Sequence, residues 1–166
     1  MTVDVRPATA DDVAALQRVA ERAWHDAHAP IIGTETTEEF LAEHYDAETF
    51  RAIIDDESRL LAVADASEGI VGFTGGGPDD DSPATFHLSR IYVDPDWWGQ
   101  GVGRQLLAHL EEAVREQGYE HITLGVMAEN DRAIRFYESA GFDREEEFYD
   151  EAIDTTSYVY WKELAD

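Results

Sequence analysis

Ile91-Tyr-Val-Asp-Pro-Asp-Trp-Trp-Gly-Gln-Gly-Val-Gly-Arg104 runs from an apolar strand end, through a proline turn and three glycines, into an amphipathic segment. That segment, 104–117, carries Leu106, Leu107, Leu110, Ala113 and Val114 at helical spacing and stops at Gly118, which predicts a helix with a left-handed cap. The glycines therefore stand at a helix N-terminus, where the first amides have no carbonyl one turn earlier to serve them. Gly99, Gly101 and Gly103 let this backbone approach an anion with no Cβ in the way. The stretch predicts a pyrophosphate cradle.

Working outward, residues 84–93 and 121–126 read as strands on either side of the glycine turn and helix, a unit that makes them parallel neighbours. Upstream, 59–64 and 70–74 read as a strand pair joined by Ala66-Ser-Glu-Gly69, and Gly75-Gly-Gly-Pro-Asp-Asp-Asp-Ser-Pro83 reads as a loop. Residues 3–6 predict a first strand. Thr9-Ala-Asp-Asp12 is a capping box opening a helix with Val13, Leu16, Val19, Ala20 and Ala23 on one face. A second box, Thr36-Thr-Glu-Glu39, opens a helical stretch over 40–45, Asp46 caps a third helix through 54, and 25–35 reads as a linker. Downstream, Ala133, Phe136, Tyr137 and Ala140 predict a short helix closed by Gly141, followed by a hairpin of 148–153 with 157–163 across Asp154-Thr155. The alternation predicts one mixed α/β domain over 1–166.

With 166 residues, 43% of them hydrophobic, the chain can bury one core and is short for two. Thirty-seven acidic against twelve basic residues give a net charge of -25, in runs spread along the chain, which repels nucleic acid and anionic lipid and suggests a halophile-type surface. No window approaches the roughly 18 apolar residues of a membrane span, and the start MTVDVR lacks the features of a signal peptide, so a cytoplasmic location is expected. The chain has no cysteine, which removes disulfides and thiolate nucleophiles. His25-Asp-Ala-His28 lacks the glutamate and third ligand of a zinc site, so no metal is expected.

Two pyrophosphate motifs fail on residues. A dinucleotide fingerprint counted from Gly99 and Gly101 needs glycine where Arg104 stands, and a P-loop needs Lys-Ser or Lys-Thr, whereas the chain's single lysine is Lys162.

What remains resembles the GNAT superfamily of acyl-CoA N-acyltransferases, whose turn reads Gln/Arg-x-x-Gly-x-Gly/Ala. Here it stands as Trp98-Gly-Gln-Gly101-Val-Gly103, with Trp98 in place of Gln or Arg. Asn130-Asp-Arg-Ala133-Ile-Arg-Phe136-Tyr137-Glu-Ser-Ala-Gly141-Phe142 resembles the family's second segment, and Leu88-x-x-Ile91-Tyr-Val93-x-Pro95 and Tyr158-x-Tyr160-x-Lys-x-Leu164 fit its flanks. The resemblance is strongest over 84–142. It implies a three-layer αβα fold of the α/β (α+β) class, with a mixed, mostly antiparallel sheet and a splayed parallel central strand pair. It also implies acetyl-CoA as acyl donor.

By the same resemblance, Ile91, Tyr92 and Val93 meet the pantetheine arm, Trp98, Gly99, Gln100, Gly101, Val102, Gly103 and Arg104 hold the pyrophosphate, and Asn130 and Ala133 flank the arm. Transfer to an alkylammonium needs a base first, because the protonated amine has no lone pair. His87 stands where several families of the superfamily carry Glu, and its period-two spacing puts it on one face with Ile91 and Val93 if no bulge intervenes. A strand histidine without chemistry is the other reading. Tyr137 is the acid for the departing thiolate by resemblance, against a purely packing role with Phe136 and Phe142. The early helices and last hairpin nominate Trp24, His25, Phe40, Tyr45 and Tyr149 as acceptor-pocket residues.

The resulting expectation is an acetyl-CoA-dependent N-acetyltransferase acting by direct attack in a ternary complex. The partner is a small-molecule or peptide amine, with no nucleic acid or membrane, and a homodimer stays open. Two alternatives stand beside it: a non-catalytic acyl-CoA-binding regulatory domain, and a sugar- or nucleotide-phosphate binder.

Overall fold

A computed structural model describes residues 3–151 and 154–164. The chain starts with β1 (Asp4–Pro7), then the helices α1 (Val13–Ala27), α2 (Ala29–Ile32), α3 (Thr34–His44) and α4 (Ala47–Asp55). The strands β2 (Leu60–Asp65), β3 (Ile70–Asp79) and β4 (Ser82–Val93) follow. After them come α5 (Val102–Glu116), β5 (His121–Met127), α6 (Asp131–Ser139), β6 (Asp143–Asp150) and β7 (Thr155–Glu163). The strands form one sheet in the order β1-β2-β3-β4-β5-β7-β6. Every neighbouring pair is antiparallel except β4 and β5, which are parallel.

Helices cover both faces, giving the three layers expected. On one face Leu16, Val19, Ala20 and Trp24 of α1 and Phe50 and Ile53 of α4 close over Val63 and Phe73. On the other, Leu107, Leu110 and Val114 of α5 pack on Phe86, Leu88, Ile122 and Leu124. Each such fully buried aliphatic or aromatic side chain contributes about 1.5–3 kcal/mol. Arg6 on β1 donates to both carboxylate oxygens of the buried Asp12, at 2.9 and 3.0 Å, while Asp12 also accepts the Thr9 N–H at 2.8 Å. This reciprocal arrangement starts α1 as the first capping box predicts.

Four expectations change. The supposed linker 25–35 is the end of α1 plus the single-turn α2, because Trp24 and His28 bury one turn apart on the same helical face. Helix α3 begins at Thr34, so Thr36 lies inside it and the second capping box does not form; Gly33 precedes the helix instead. The supposed loop 75–83 is strand for most of its length. β3 runs to Asp79 and β4 resumes at Ser82, with the glycines paired on β4. The first strand of the closing hairpin spans Asp143–Asp150 rather than 148–153, and Ala152 and Ile153 lie outside the described residues.

The glycine run permits a distortion that matters for the site. Gly75 pairs with Arg90 and Gly76 with Leu88, leaving Ser89 as an extra residue on β4. A methyl group on Gly76 would overlap the carbonyl oxygen of His87, and one on Gly75 would stand 2.6 Å from the carbonyl oxygen of Leu60. Only glycine fits where the bulged strand crowds its partner.

The far edge of the sheet is fastened by the single lysine. Lys162 on β7 donates to the Ala140 carbonyl at 2.7 Å beyond α6 and pairs with Glu111 of α5, also at 2.7 Å. Among the described residues, no helix is long and apolar enough to cross a membrane.

Candidate functional site

The parallel pairing of β4 with β5 covers only Thr85–His121, Phe86–Ile122 and His87–Thr123. Both strands continue beyond it without pairing to each other, so the sheet splays between Leu88–Val93 and the end of β5. A cleft of about 880 Å³ opens there. The glycine loop and the starts of α5 and α6 wall one end, and α1, α3 and Tyr45 wall the other.

The glycine loop is built as the sequence suggests, with a shift in helix start. Gly99 and Gly101 have φ of 79° and 83°, a left-handed conformation that explains glycine at both, and space beside them is open. α5 begins at Val102, two residues earlier than expected, and its first helical bond runs from Gln105 N–H to Gly101 O at 3.1 Å. The preceding amides at 102–104 are thus free of helical partners and border the cleft, which fits a pyrophosphate. Gly103 lies inside the helix, where an added methyl would touch the Phe136 ring at 3.5 Å. Trp98 turns its Nε1–H onto the Val93 carbonyl at 2.9 Å, and the Arg132 guanidinium lies 4.1 Å over the indole. Asn130 caps α6 by accepting the Ala133 N–H at 3.2 Å.

The bulge at Ser89 decides which side chains face together. Phe86 and Leu88 pack against α5, and so do Ile91 and Val93, one position out of the simple alternation. Tyr92 joins the opposite core with Trp24 and Tyr45. His87 consequently does not share a face with Ile91 and Val93 but lies on the side of Tyr92, while still lining the cleft. Loss of hydration holds its imidazole below the usual 6.5; Asp79 opposes this and Arg59 adds to it.

Tyr137 is 8% exposed, with its ring edge-on to Phe136 and Phe142 at 5.4 and 5.8 Å. Burial, with Tyr45 nearby, raises its hydroxyl well above the ordinary tyrosine value, so it stays protonated. Burial raises Tyr92 and Tyr45 as well. Three protonated phenols therefore border the splay.

The wall opposite the glycine loop is aromatic. Trp24 stacks between His28 at 4.1 Å and Phe40 at 4.5 Å, and Tyr45 stands 5.8 Å away. Burial pushes His28 down to about 4, so it is neutral at physiological pH. His28 Nδ1 is buried and meets no hydrogen-bond partner, while the buried Trp24 Nε1 has the Tyr45 hydroxyl beside it.

Of the residues singled out in the sequence, the cleft gathers Trp24, Phe40, Tyr45, His87, Ile91, Tyr92, Val93, Trp98, Gly99, Gly101, Val102, Gly103, Arg104, Asn130, Ala133 and Tyr137. His25, Gln100 and Tyr149 lie outside it. On α1 it is His28, four residues after Trp24, that shares the cleft face. Gln100 is exposed and its amide reaches back to the Asp96 carbonyl at 3.4 Å. On β6 strand parity turns Phe148 to the cleft and leaves Tyr149 56% exposed. Sequence reasoning missed His28, Arg132, Phe148 and Ser157. The helical i, i+4 relation to Trp24 was the available signal for His28. Among the described residues there is no cluster of three or more potential metal ligands.

Comparison with known proteins bears on the fold and the family. An Escherichia coli (strain K12) ribosomal protein bS18-alanine N-acetyltransferase is 47% identical over 55 residues, a match spanning 33% of this chain and only 37% of that protein. An uncharacterised N-acetyltransferase of Mycobacterium bovis is 29% identical over 133 residues, 80% of this chain and 82% of that one. The crystal structure of PaiA N-acetyltransferase from Thermoplasma acidophilum in complex with coenzyme A shares the fold. It has a TM-score of 0.88 at 23% identity, covering 98% of this chain and 99% of that one. Residues 17–142 match the family described as acetyltransferase (GNAT), and with that match the chain belongs to the GNAT acetyltransferase family.

Proposed function

We propose that the protein is an acetyl-CoA-dependent N-acetyltransferase that acylates a primary amine by direct attack within a ternary complex. The observation that carries this reading is the splay between β4 and β5, which joins an anion cradle at Gly99–Gly101 to an aromatic wall at Trp24 through one cleft. Bound acetyl-CoA would supply the acyl thioester. The protein's part is to hold that group, admit an amine opposite it and move two protons.

The backbone of 99–104 would hold the pyrophosphate and the edge of Ile91–Val93 the pantetheine amides. Tyr137, kept protonated by burial, donates its hydroxyl proton to the departing thiolate. His87, neutral at pH 7, accepts the proton that the ammonium must lose, directly or through water. This role is supported by its lining the cleft from the Tyr92 side of β4, the side on which Tyr92 packs with Trp24 and Tyr45. The acceptor enters against Trp24, Phe40 and Tyr45, where the unpartnered His28 Nδ1 offers it a hydrogen bond.

Calorimetric titration with acetyl-CoA, followed by a free-thiol release assay against a panel of amines, tests the reading. Saturable binding with amine-dependent thiol release is the expected result. Binding with no release by any amine or amino-terminal peptide would instead favour a non-catalytic acyl-CoA-binding domain. Absence of binding would remove the coenzyme reading altogether.

A further inference from the structure

Building on the coenzyme reading above, we propose that Arg132 is a phosphate-binding residue of the coenzyme site and that Trp98 positions it. Together they replace the polar side chain that the resembled motif carries at position 98.

A glutamine or arginine at 98 would present N–H donors to a phosphate. Tryptophan has a single donor, and here it is committed to the Val93 carbonyl at 2.9 Å. Trp98 therefore has nothing left with which to bind an anion. What it presents instead is a ring face, and the Arg132 guanidinium sits over it at 4.1 Å. That contact is electrostatically favourable and leaves the planar fork of N–H groups available to oxygen acceptors.

The backbone beneath Arg132 is fixed by the Asn130 cap at the start of α6. Arg132 and Arg104 border the same cleft as Gly99 and Gly101. The chain has 37 acidic residues, yet Asp150 is the sole carboxylate bordering that cleft among the described residues. Arg132, like Arg104, has no carboxylate ion pair among the described residues, so neither guanidinium is neutralised beside the cleft. A cation held on an aromatic platform beside a glycine cradle, in a cleft that a single carboxylate borders, is complementary to the phosphates of the coenzyme.

The test is calorimetric binding of coenzyme A, and of dephospho-coenzyme A, which lacks the 3′-phosphate, at low and high salt. Arg132→Ala should weaken binding about tenfold and flatten its salt dependence, as loss of one charge-assisted contact predicts. Arg135→Ala, on an exposed position of the same helix outside the cleft, should leave binding unchanged. Trp98→Gln, although it restores the motif residue, should weaken binding about threefold, the scale of a lost cation–π platform. In an Arg132→Ala background it should add no further loss. Trp98→Phe, which keeps a ring, guards against a folding effect, and melting curves of every variant accompany the titrations.

If Arg132→Ala affects both ligands alike, the diphosphate is the partner; if it affects coenzyme A alone, the 3′-phosphate is. Either result supports the assignment. Binding by the parent protein that Arg132→Ala leaves intact would overturn it, and tighter binding by Trp98→Gln would overturn the positioning role. A parent protein that binds no coenzyme would instead strike at the coenzyme reading itself.

Discussion

The carbonyl oxygen of His87 occupies the space that a side chain on Gly76 would need. The clash is with backbone, so it cannot be relieved by a rotamer change. Gly76→Ala should therefore destabilise the fold by about 2 kcal/mol or more, read as a lowered denaturant midpoint at unchanged slope. Because Gly76 faces the bulge at Ser89, the same variant should also weaken coenzyme binding. An unaffected midpoint would mean that the bulge can slide.

Tyr137→Phe removes one hydroxyl and keeps the ring that packs on Phe136 and Phe142. The folded state and coenzyme affinity should be preserved while kcat falls about 10²–10⁴-fold, the range for loss of a positioned acid. Equal turnover by the variant would reduce Tyr137 to a packing residue.

His87 is held below 6.5, so the neutral, proton-accepting form dominates above that pH. The acid limb of kcat/KM should accordingly rise through a pKa under 6.5 and level off by neutrality. His87→Gln should abolish this limb and lower the plateau about 10²-fold. A limb that persists in the variant would assign the base elsewhere.

His28 makes stability depend on pH in a defined direction. In the folded protein it takes up a proton only near pH 4, whereas in the unfolded chain it does so near 6.5. Protonation thus favours unfolding, and stability declines as pH falls from 6.5 toward 4, by at most about 3 kcal/mol from this one group. His28→Phe, which keeps a flat ring against Trp24, should show a shallower loss over that window by urea titration.

Lys162 joins β7 to α5 through Glu111 and to the end of α6 through Ala140. Lys162→Met leaves Glu111 half of a largely enclosed pair and should lower stability by about 2 kcal/mol. The double variant Lys162→Met with Glu111→Leu should recover part of that loss, measured by thermal melting.

How far the sequence could be read depended on whether local or distant atoms decide each conformation. The turn at Gly99–Gly101 and the Asn130 cap are local devices, where φ and one side-chain acceptor settle the outcome, and the glycine turn appears as read. The parallel β4–β5 pair likewise follows from the strand, glycine turn, helix, strand connection, whereas the three layers came with the family resemblance. The run Gly75-Gly76-Gly77 misled for the opposite reason. Glycines that usually mark a loop are here the residues a strand needs where two neighbours press on it, and that pressure comes from distant segments. The bulge at Ser89 then turned His87 to the face of Tyr92, which no spacing rule on β4 alone could foresee. Tyr149 and Phe148 differ by one step of strand parity, and that step is set by register against β7. His25 and His28 differ by the angular position of one helical face.

One consequence of the way Lys162 is fastened reaches beyond stability. It is the chain's only lysine, and its ammonium is clasped between a carboxylate and a carbonyl, each at 2.7 Å. A protonated nitrogen so engaged has no lone pair to lend to an electrophile. A catalyst of the proposed kind, handling activated acyl groups near amines, would be at risk of blocking its own surface. This molecule presents no loose lysine to be blocked, and amine-directed labels and crosslinkers should find its side chains correspondingly unreactive.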